Sequence, residues 1–571
     1  MIAFFRFNLC LLITALLAGP GFCQVSPGHI GTSERNMVAS VHPLATDAGV
    51  NAFAKGGNAI DAAVATALTL GVVDGYNSGI GGGCFVLIHT ADGEVVAIDG
   101  REMAPASAKR DMYLVDGVAD GSLSRTGPLA SGVPGALAAL DQALTTYGTM
   151  ELEEVIGPAA EIAENGFEVN DVYSGRMESA AEELRQWGSS LLKSDGSIYR
   201  PGEILRQPDL ANTYRSIGEN GIGWFYAGDF AEQTARWMSE NGGILEKDDF
   251  TNYRTVSRAP VATDYRGYTI IGFPPPSSGG VHVAQILNIL ENFDLQEIRN
   301  RSEAEFRHVV AEAMKLAFAD RAYWLGDPDF AKVPLGLVTE DYADELAARI
   351  NQESSTPVES HGTPPDANSR FFERHTTHLC TADAEGNWVA VTLTVNTTFG
   401  SKVIVPGLGV VMNNQMDDFS IAPGVPNAFG LIGAEANAVN AGKRPLSSMS
   451  PTIVLKDGQP VMAVGAAGGP KIITQVVWAI INHIDLGMPV GEAIARPRVH
   501  HQWSPDRLLV ETSLDDATTM NLENFGHTVT RSSTAGISQA ISFDPETGIF
   551  TGAHDPRTPG KAAGQNQPCR W

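Results

Sequence analysis

Between residues 389 and 396 apolar and small polar side chains alternate. Val389, Val391, Leu393 and Val395 share one parity; Ala390, Thr392, Thr394 and Asn396 share the other. Period two predicts a strand with one apolar face and one hydroxyl and amide face. Upstream, Asp383 to Asn387 carries turn chemistry, with Gly386 and Asn387 able to take positive φ. Residues 376–400 therefore read as a β-hairpin. With the turn centred near Glu385, paired residue numbers sum to about 770. That register sets Thr376 opposite Thr394, with Cβ atoms about 5 Å apart. A slip of two residues keeps the faces and stays open; a slip of one would turn Thr392 and Thr394 to the wrong face.

Elsewhere the period changes. Pro43–Ala54 reads as a helix, and Ala59–Leu70 as a second, whose Ala62, Ala63, Ala65 and Ala67 permit close packing. Gly79-Ile80-Gly81-Gly82-Gly83 then leads into a strand at Phe85–His89. This glycine cluster lacks the GK[ST] ending and the strand–loop–helix order of a phosphate loop, so it reads as a tight turn beside a crowded site. Pro274 to Gly280 is a rigid turn feeding another helix, and Ala311–Tyr323 is amphipathic with Ala313, Leu316, Ala317 and Phe318 on its apolar side. Residues 353–370 are polar and proline-rich, and predict a linker.

Composition narrows the function class. The chain has 571 residues, 43% hydrophobic and 18% charged, as expected of a globular protein. A formal net charge of -27 disfavours nucleic acid and anionic lipid as partners. Arg6, the apolar run Leu9 to Leu17 and the small residues Ala18, Gly19 and Gly21 form a signal-peptide pattern over residues 1–23. Cys23 lacks the small preceding residue of a lipoprotein site, and no later stretch has the length of a membrane helix. The reading is a periplasmic or secreted protein without a membrane anchor. Outside the signal lie only Cys84, Cys380 and Cys569, so no disulfide framework is expected. No CxxC or HExxH occurs, and the adjacent His500 and His501 read as ordinary histidines; no metal and no cofactor is expected.

A threonine hydroxyl is a weak nucleophile until a base takes its proton. A free α-amino group, with a pKa of about 7.7 to 8.0, is such a base and is covalently positioned on an N-terminal threonine. Cutting the His375–Thr376 bond would create that arrangement, begun by attack of the Thr376 hydroxyl on the preceding carbonyl. The spacing alone leaves plain β-propensity as the competing reading.

The hairpin resembles the signature of the γ-glutamyltransferase family of N-terminal nucleophile hydrolases: Thr376, Thr377, His378, Gly386, Asn387, Val389, Thr392, Thr394, Asn396, Phe399 and Gly400. It departs at Cys380 and Thr381. The likeness spans nearly the whole chain beyond the signal, through GGNAIDAAVA (56–65), DGREMAP (99–105), PPPSSGG (274–280), NNQMDDFS (413–420), KRPLSSMSP (443–451) and GAAGGPKIIT (465–474).

The resemblance implies an α+β fold, a four-layer αββα sandwich built from a large part, 24–375, and a small catalytic part, 376–571, after self-cleavage between His375 and Thr376. It implies Thr376 as nucleophile with Thr394 as its hydroxyl partner. Gly468 and Gly469 would form the oxyanion hole. Arg101, Ser447 and Ser448 would hold the substrate's α-carboxylate, and Asn396, Gln415 and Asp418 its α-ammonium group. Residues 421–442 correspond to a loop that many members place over the site. The implied partners are glutathione and other γ-glutamyl compounds, with water or an acceptor amino acid or peptide collecting the glutamyl group. A cephalosporin or glutaryl acylase shares this fold and nucleophile, but its acyl group has no α-amine for Asp418 to meet. An inactive secreted binding protein is the alternative outside enzymology.

Overall fold

The computed structural model describes residues 29–365, 378–422 and 424–565. Thr376, His375, Cys569 and the signal-peptide segment lie outside them.

Two seven-stranded antiparallel sheets lie at the centre. The first runs, in spatial order, Lys561–Ala563, Asn36–Ser40, His378–Asp383, Trp388–Thr394, Gly83–His89, Val95–Gly100 and Val256–Arg258. The second runs Ile30–Ser33, Ile549–His554, Ile537–Asp544, Gln459–Ala467, Thr452–Lys456, Tyr268–Gly272 and Val261–Tyr265. Between the sheets sits an apolar layer including Phe85, Phe273, Trp388, Ile453 and Ile541. The rings of Phe85 and Phe273, one from each side, stack with centroids 4.2 Å apart.

The outer face of each sheet carries helices. Pro43–Ala54, Ala59–Val73 and Ala136–Tyr147 bury their apolar residues with Val86, Ile88, Val389, Val391 and Leu393 of the first sheet. Ser278–Glu291, Glu303–Trp324 and Lys471–Ile484 do the same with Ile270, Val454, Val464 and Ala540 of the second. The result is the four-layer αββα sandwich.

The hairpin has the register read from the sequence. His378 faces Thr392, Cys380 faces Ala390 and Ala382 faces Trp388, each pair summing to 770. Gly386 takes φ 103° in the turn. The pairing of Thr376 with Thr394 falls outside the described residues. Both faces of the strand Trp388–Thr394 are buried. Its apolar parity meets the helices, and the other parity looks between the sheets.

The helix Pro43–Ala54 has the predicted bounds. The next extends to Val73, beginning in a capping box where Asn58 accepts from Asp61 N–H and Asp61 accepts from Asn58 N–H. The amphipathic segment 311–323 belongs to a longer helix, Glu303–Trp324, capped by the Ser302 hydroxyl. The glycine run packs the chain against the hairpin. A Cβ on Gly82 would lie 1.8 Å from the Thr394 carbonyl oxygen, and one on Gly81 2.1 Å from that of Val411.

The expected linker is a correction. Of the expected linker 353–370, the described part, 353–365, is not a free tether but is bonded, with Asn351 before it, to Glu303–Trp324; residues 366–370 lie outside the described residues. His308 Nε2 meets the Asn351 carbonyl at 2.7 Å, and Lys315 Nζ donates to Ser355 Oγ at 2.7 Å and to the Thr356 carbonyl at 3.1 Å. Glu312 accepts from Ser355 Oγ and Thr356 N–H, both at 2.9 Å. Farther along, Trp503 donates to the Val358 carbonyl and Asp320 accepts from Gly362 N–H. Polar, proline-rich composition marks a segment without regular structure, which buried partners can still fix.

Candidate active site

The strand Val95–Gly100 delivers Arg101, fully buried, to the space where the turn Gln415–Asp418 ends. Arg101 Nη2 donates to Asp418 Oδ2 at 2.7 Å, and Nη1 to Glu102 Oε2 at 3.1 Å. Gln415 Nε2 also donates to Asp418 Oδ2, at 2.6 Å. Asn427, from the loop 421–442, donates to Asp418 Oδ1 at 3.3 Å. The resemblance assigned Arg101 and Asp418 to opposite charges of one substrate; here they neutralise each other.

Several polar atoms around this pair are buried without a hydrogen-bond partner among the described residues: Gln415 Oε1, Ser447 Oγ, Ser420 Oγ and Glu102 Oε1. Leaving such atoms unpaired costs about 1–3 kcal/mol each, and their grouping marks a place built for a polar ligand. Burial, opposed by Arg101, raises the Glu102 carboxyl to about 7.

Ser447 and Ser448 follow Pro445 and Leu446 into a loop that bridges Ser277 in parallel. Ser278 N–H donates to the Ser447 carbonyl at 3.1 Å, and the Ser278 hydroxyl donates to the same oxygen. Arg321 Nη2 donates to Ser448 Oγ at 3.3 Å. A cavity lined by Arg321, Asp418, Ser420, Asn427, Asn437 and Leu446, among others, lies here.

Thr394 ends its strand buried, and its hydroxyl oxygen accepts from Asn396 N–H at 2.7 Å. That bond leaves the Thr394 proton free to donate elsewhere. Asn396 sits at φ 81°, half-buried, with its amide donating to the Asn414 carbonyl at 3.0 Å. It does not reach Asp418 through any of its hydrogen bonds among the described residues.

Gly468 and Gly469 take φ 137° and 61° in the turn between the strand Gln459–Ala467 and the helix Lys471–Ile484. Neither N–H donates in the backbone hydrogen bonds of the described turns. Amides at the head of a 14-residue helix suit a developing anion. The Phe429 ring covers this turn: a Cβ on Gly469 would lie 2.7 Å from Phe429 Cδ1. Loop 421–442 thus touches both Asp418 and Gly469.

The sequence reading named Arg101, Asn396, Gln415, Asp418, Ser447, Ser448, Thr394, Gly468 and Gly469, and the structure brings Arg101, Gln415 and Asp418 into one bonded group. It missed Glu102, Arg321, Asn427 and Phe429. Glu102 was next to Arg101 in DGREMAP, and Asn427 and Phe429 lay inside the covering loop. Arg321 stood as a charge in a helix read by its apolar side.

Other titratable groups read as structural. Cys84 and Cys380 are free, buried thiols whose pKa values burial pushes up. His500 and His501 are both buried, bonded to Thr474 and Gln502 and to Asp506 respectively. His308, Glu312 and His527 bring ligand-type atoms within 4.8 Å of one another. They are engaged by one another, by Asn351, Ser355 and Thr356, and by the Lys315 ammonium 2.7 Å from Glu312, which already supplies the local positive charge.

The fold and this arrangement define the class of N-terminal nucleophile hydrolases. A family model described as Gamma-glutamyltranspeptidase matches residues 45–565, and the chain belongs to that family. It is 45% identical over 542 residues to the glutathione hydrolase proenzyme of Escherichia coli (strain K12), covering 93% of this chain and 92% of that one. Among solved structures it resembles a cephalosporin acylase from Bacillus halodurans, with TM-score 0.85 and 29% identity over 97% of this chain and 100% of that one. It also resembles the γ-glutamyltranspeptidase of Helicobacter pylori, with TM-score 0.55 and 41% identity over 56% of this chain and 92% of that one. Among the described residues no helix is long and apolar enough to cross a membrane.

Proposed function

We propose that the chain is a precursor that cuts itself between His375 and Thr376 and then cleaves γ-glutamyl amides, glutathione among them. The observation that carries this reading is the buried Arg101–Asp418 pair with unpartnered Gln415 Oε1 and Ser447 Oγ beside it. A γ-glutamyl group ends in a carbon bearing both a carboxylate and an ammonium. Inserted between the pair, its carboxylate takes Arg101 and the serine hydroxyls, and its ammonium takes Asp418 and Gln415 Oε1. Each buried charge exchanges one partner for another, so neither is stranded.

In the first step the Thr376 hydroxyl oxygen bonds to the γ-carbonyl carbon while the α-amino group of Thr376 takes the hydroxyl proton. The carbonyl oxygen carries the negative charge toward the Gly468 and Gly469 N–H groups. The carbon–nitrogen bond then breaks and the amine leaves with that proton. In the second step water or an acceptor amine bonds to the ester carbonyl carbon and gives a proton to the α-amino group; the bond from that carbon to the Thr376 oxygen then breaks, and the oxygen takes the proton back. The Thr394 hydroxyl, which keeps its proton, donates a hydrogen bond to the nucleophile's oxygen. No step calls for a metal or an organic cofactor. Residues 1–23 act as an export signal, placing the enzyme in the periplasm or outside the cell, and 24–375 and 376–571 form the heterodimer.

The cephalosporin acylase likeness supports a second reading, in which a glutaryl group enters. Its carboxylate would take Arg101 and leave Asp418 buried without a cation, which disfavours it.

The test is a denaturing gel with an assay of γ-glutamyl-p-nitroanilide, with and without glycylglycine. Two fragments and nitroaniline release are expected, both lost in Thr376→Ala. A single uncut band with no release sinks the reading; acceleration by glycylglycine identifies transfer as well as hydrolysis.

A further inference from the structure

We propose that Arg321 is a positioning residue for the donor's α-carboxylate, acting by fixing the direction of the serine hydroxyls that receive it. The proposal rests on the γ-glutamyl reading above.

The argument is one of hydrogen-bond polarity. A guanidinium has five N–H donors and no acceptor. Arg321 is buried on the helix Glu303–Trp324 and directs Nε to Ser278 Oγ at 3.0 Å and Nη2 to Ser448 Oγ at 3.3 Å. Both hydroxyls must therefore accept from it. Ser278 then has one proton to place, and it goes to the Ser447 carbonyl. That carbonyl also accepts from Ser278 N–H at 3.1 Å and from Arg321 Nη2 at 3.4 Å. The backbone of Ser447 is thereby held from three directions.

Among the described residues Ser448 is left with a proton and no acceptor for it, because the one side-chain bond it makes with them is the one received from Arg321. Ser447 Oγ has no partner among the described residues. Two adjacent, fully buried hydroxyls are thus both presented as donors. A ligand that supplies two acceptor oxygens and no competing donor satisfies both, and a carboxylate is that ligand. Arg321 also lines the cavity that Asp418 lines. Without Arg321, Ser448 could turn its proton to a protein carbonyl, and the site would have to reverse a hydrogen bond before binding.

The experiment compares two donors on the matured enzyme: γ-glutamyl-p-nitroanilide and 4-aminobutanoyl-p-nitroanilide, which is the same acyl group without its α-carboxylate. Arg321→Met should raise KM for the γ-glutamyl donor about tenfold while changing kcat much less and sparing the 4-aminobutanoyl donor. Arg321→Lys, which keeps charge and approximate length, should fall between. In a Ser448→Ala background the Arg321 substitution should add little, since the hydroxyl it orients is gone. Equal losses on both donors, or effects of Arg321 and Ser448 that simply multiply, would overturn the proposal. Should Arg321→Met fail to mature, Arg321→Lys with and without Ser448→Ala gives the same coupling. Failure of the underlying reading looks different: the unaltered enzyme would then show no preference for the γ-glutamyl donor.

Discussion

Arg101 and Asp418 meet as a fully buried ion pair, Nη2 to Oδ2 at 2.7 Å, across 317 positions of sequence. The pair does two things at once. It keeps each charge from being buried alone, and it holds in one place the two charges that a zwitterionic ligand needs. Asp418→Asn removes the charge and keeps the shape. We expect KM for γ-glutamyl substrates to rise roughly a hundredfold, about 3 kcal/mol, while a glutaryl substrate, which has no ammonium, changes little. Steady-state kinetics on both substrates decides it: equal effects would mean that Asp418 does not hold the ammonium group.

The turn at Gly469 makes a second, separable prediction. With φ 61° and the Phe429 ring 2.7 Å from where a Cβ would sit, Gly469→Ala strains the backbone and pushes the covering loop away. A fall in kcat of about tenfold to a hundredfold is expected. Phe429→Ala in the same chain should restore part of it by removing the clash. Unchanged kcat in Gly469→Ala would separate this turn from the reacting carbonyl.

Local pattern carried the hairpin almost completely. Alternation gave the strand, Gly386 the turn, and parity the pairing of His378 with Thr392. What alternation does not distinguish is water from a second sheet. The Thr392 and Thr394 face is as buried as the valine face, because it looks into the layer between the sheets. Arg101 and Asp418 stand in the sequence as separate members of two motifs; their ion pair is not legible there, since it depends on how a strand end and a distant turn converge. Nor is the fixing of residues 351–365. Lys315 and Glu312 are polar residues of a helix read by its apolar side, and only tertiary packing shows that Ser355 and Thr356 lie over them.

That buried cluster should matter for stability. Lys315→Met strands the Glu312 carboxylate, and such a loss costs about 3–5 kcal/mol. Replacing both, Lys315→Met with Glu312→Gln, leaves no unpaired charge and should recover much of it. Urea unfolding of the three variants is the measurement. If the double variant is no more stable than Lys315→Met, Glu312 is not what the lysine neutralises.

Glu102 makes the pH prediction. Burial raises its carboxyl from an ordinary 4.5 to about 7, against the opposing pull of Arg101. Between those values the folded chain holds a proton that the unfolded chain has released. The stabilising contribution is therefore complete below pH 4.5 and is lost as pH rises through 7. Over that window the loss is about 3 kcal/mol. Glu102→Gln stays neutral at every pH, so its stability relative to the unaltered protein should climb from pH 4.5 to about 8 and then level off. Denaturant midpoints of both proteins across that range test the sign directly. A difference that stays flat, or that climbs toward acid, would show that Glu102 is ionised beside Arg101 throughout and that the pair, not the proton, neutralises it.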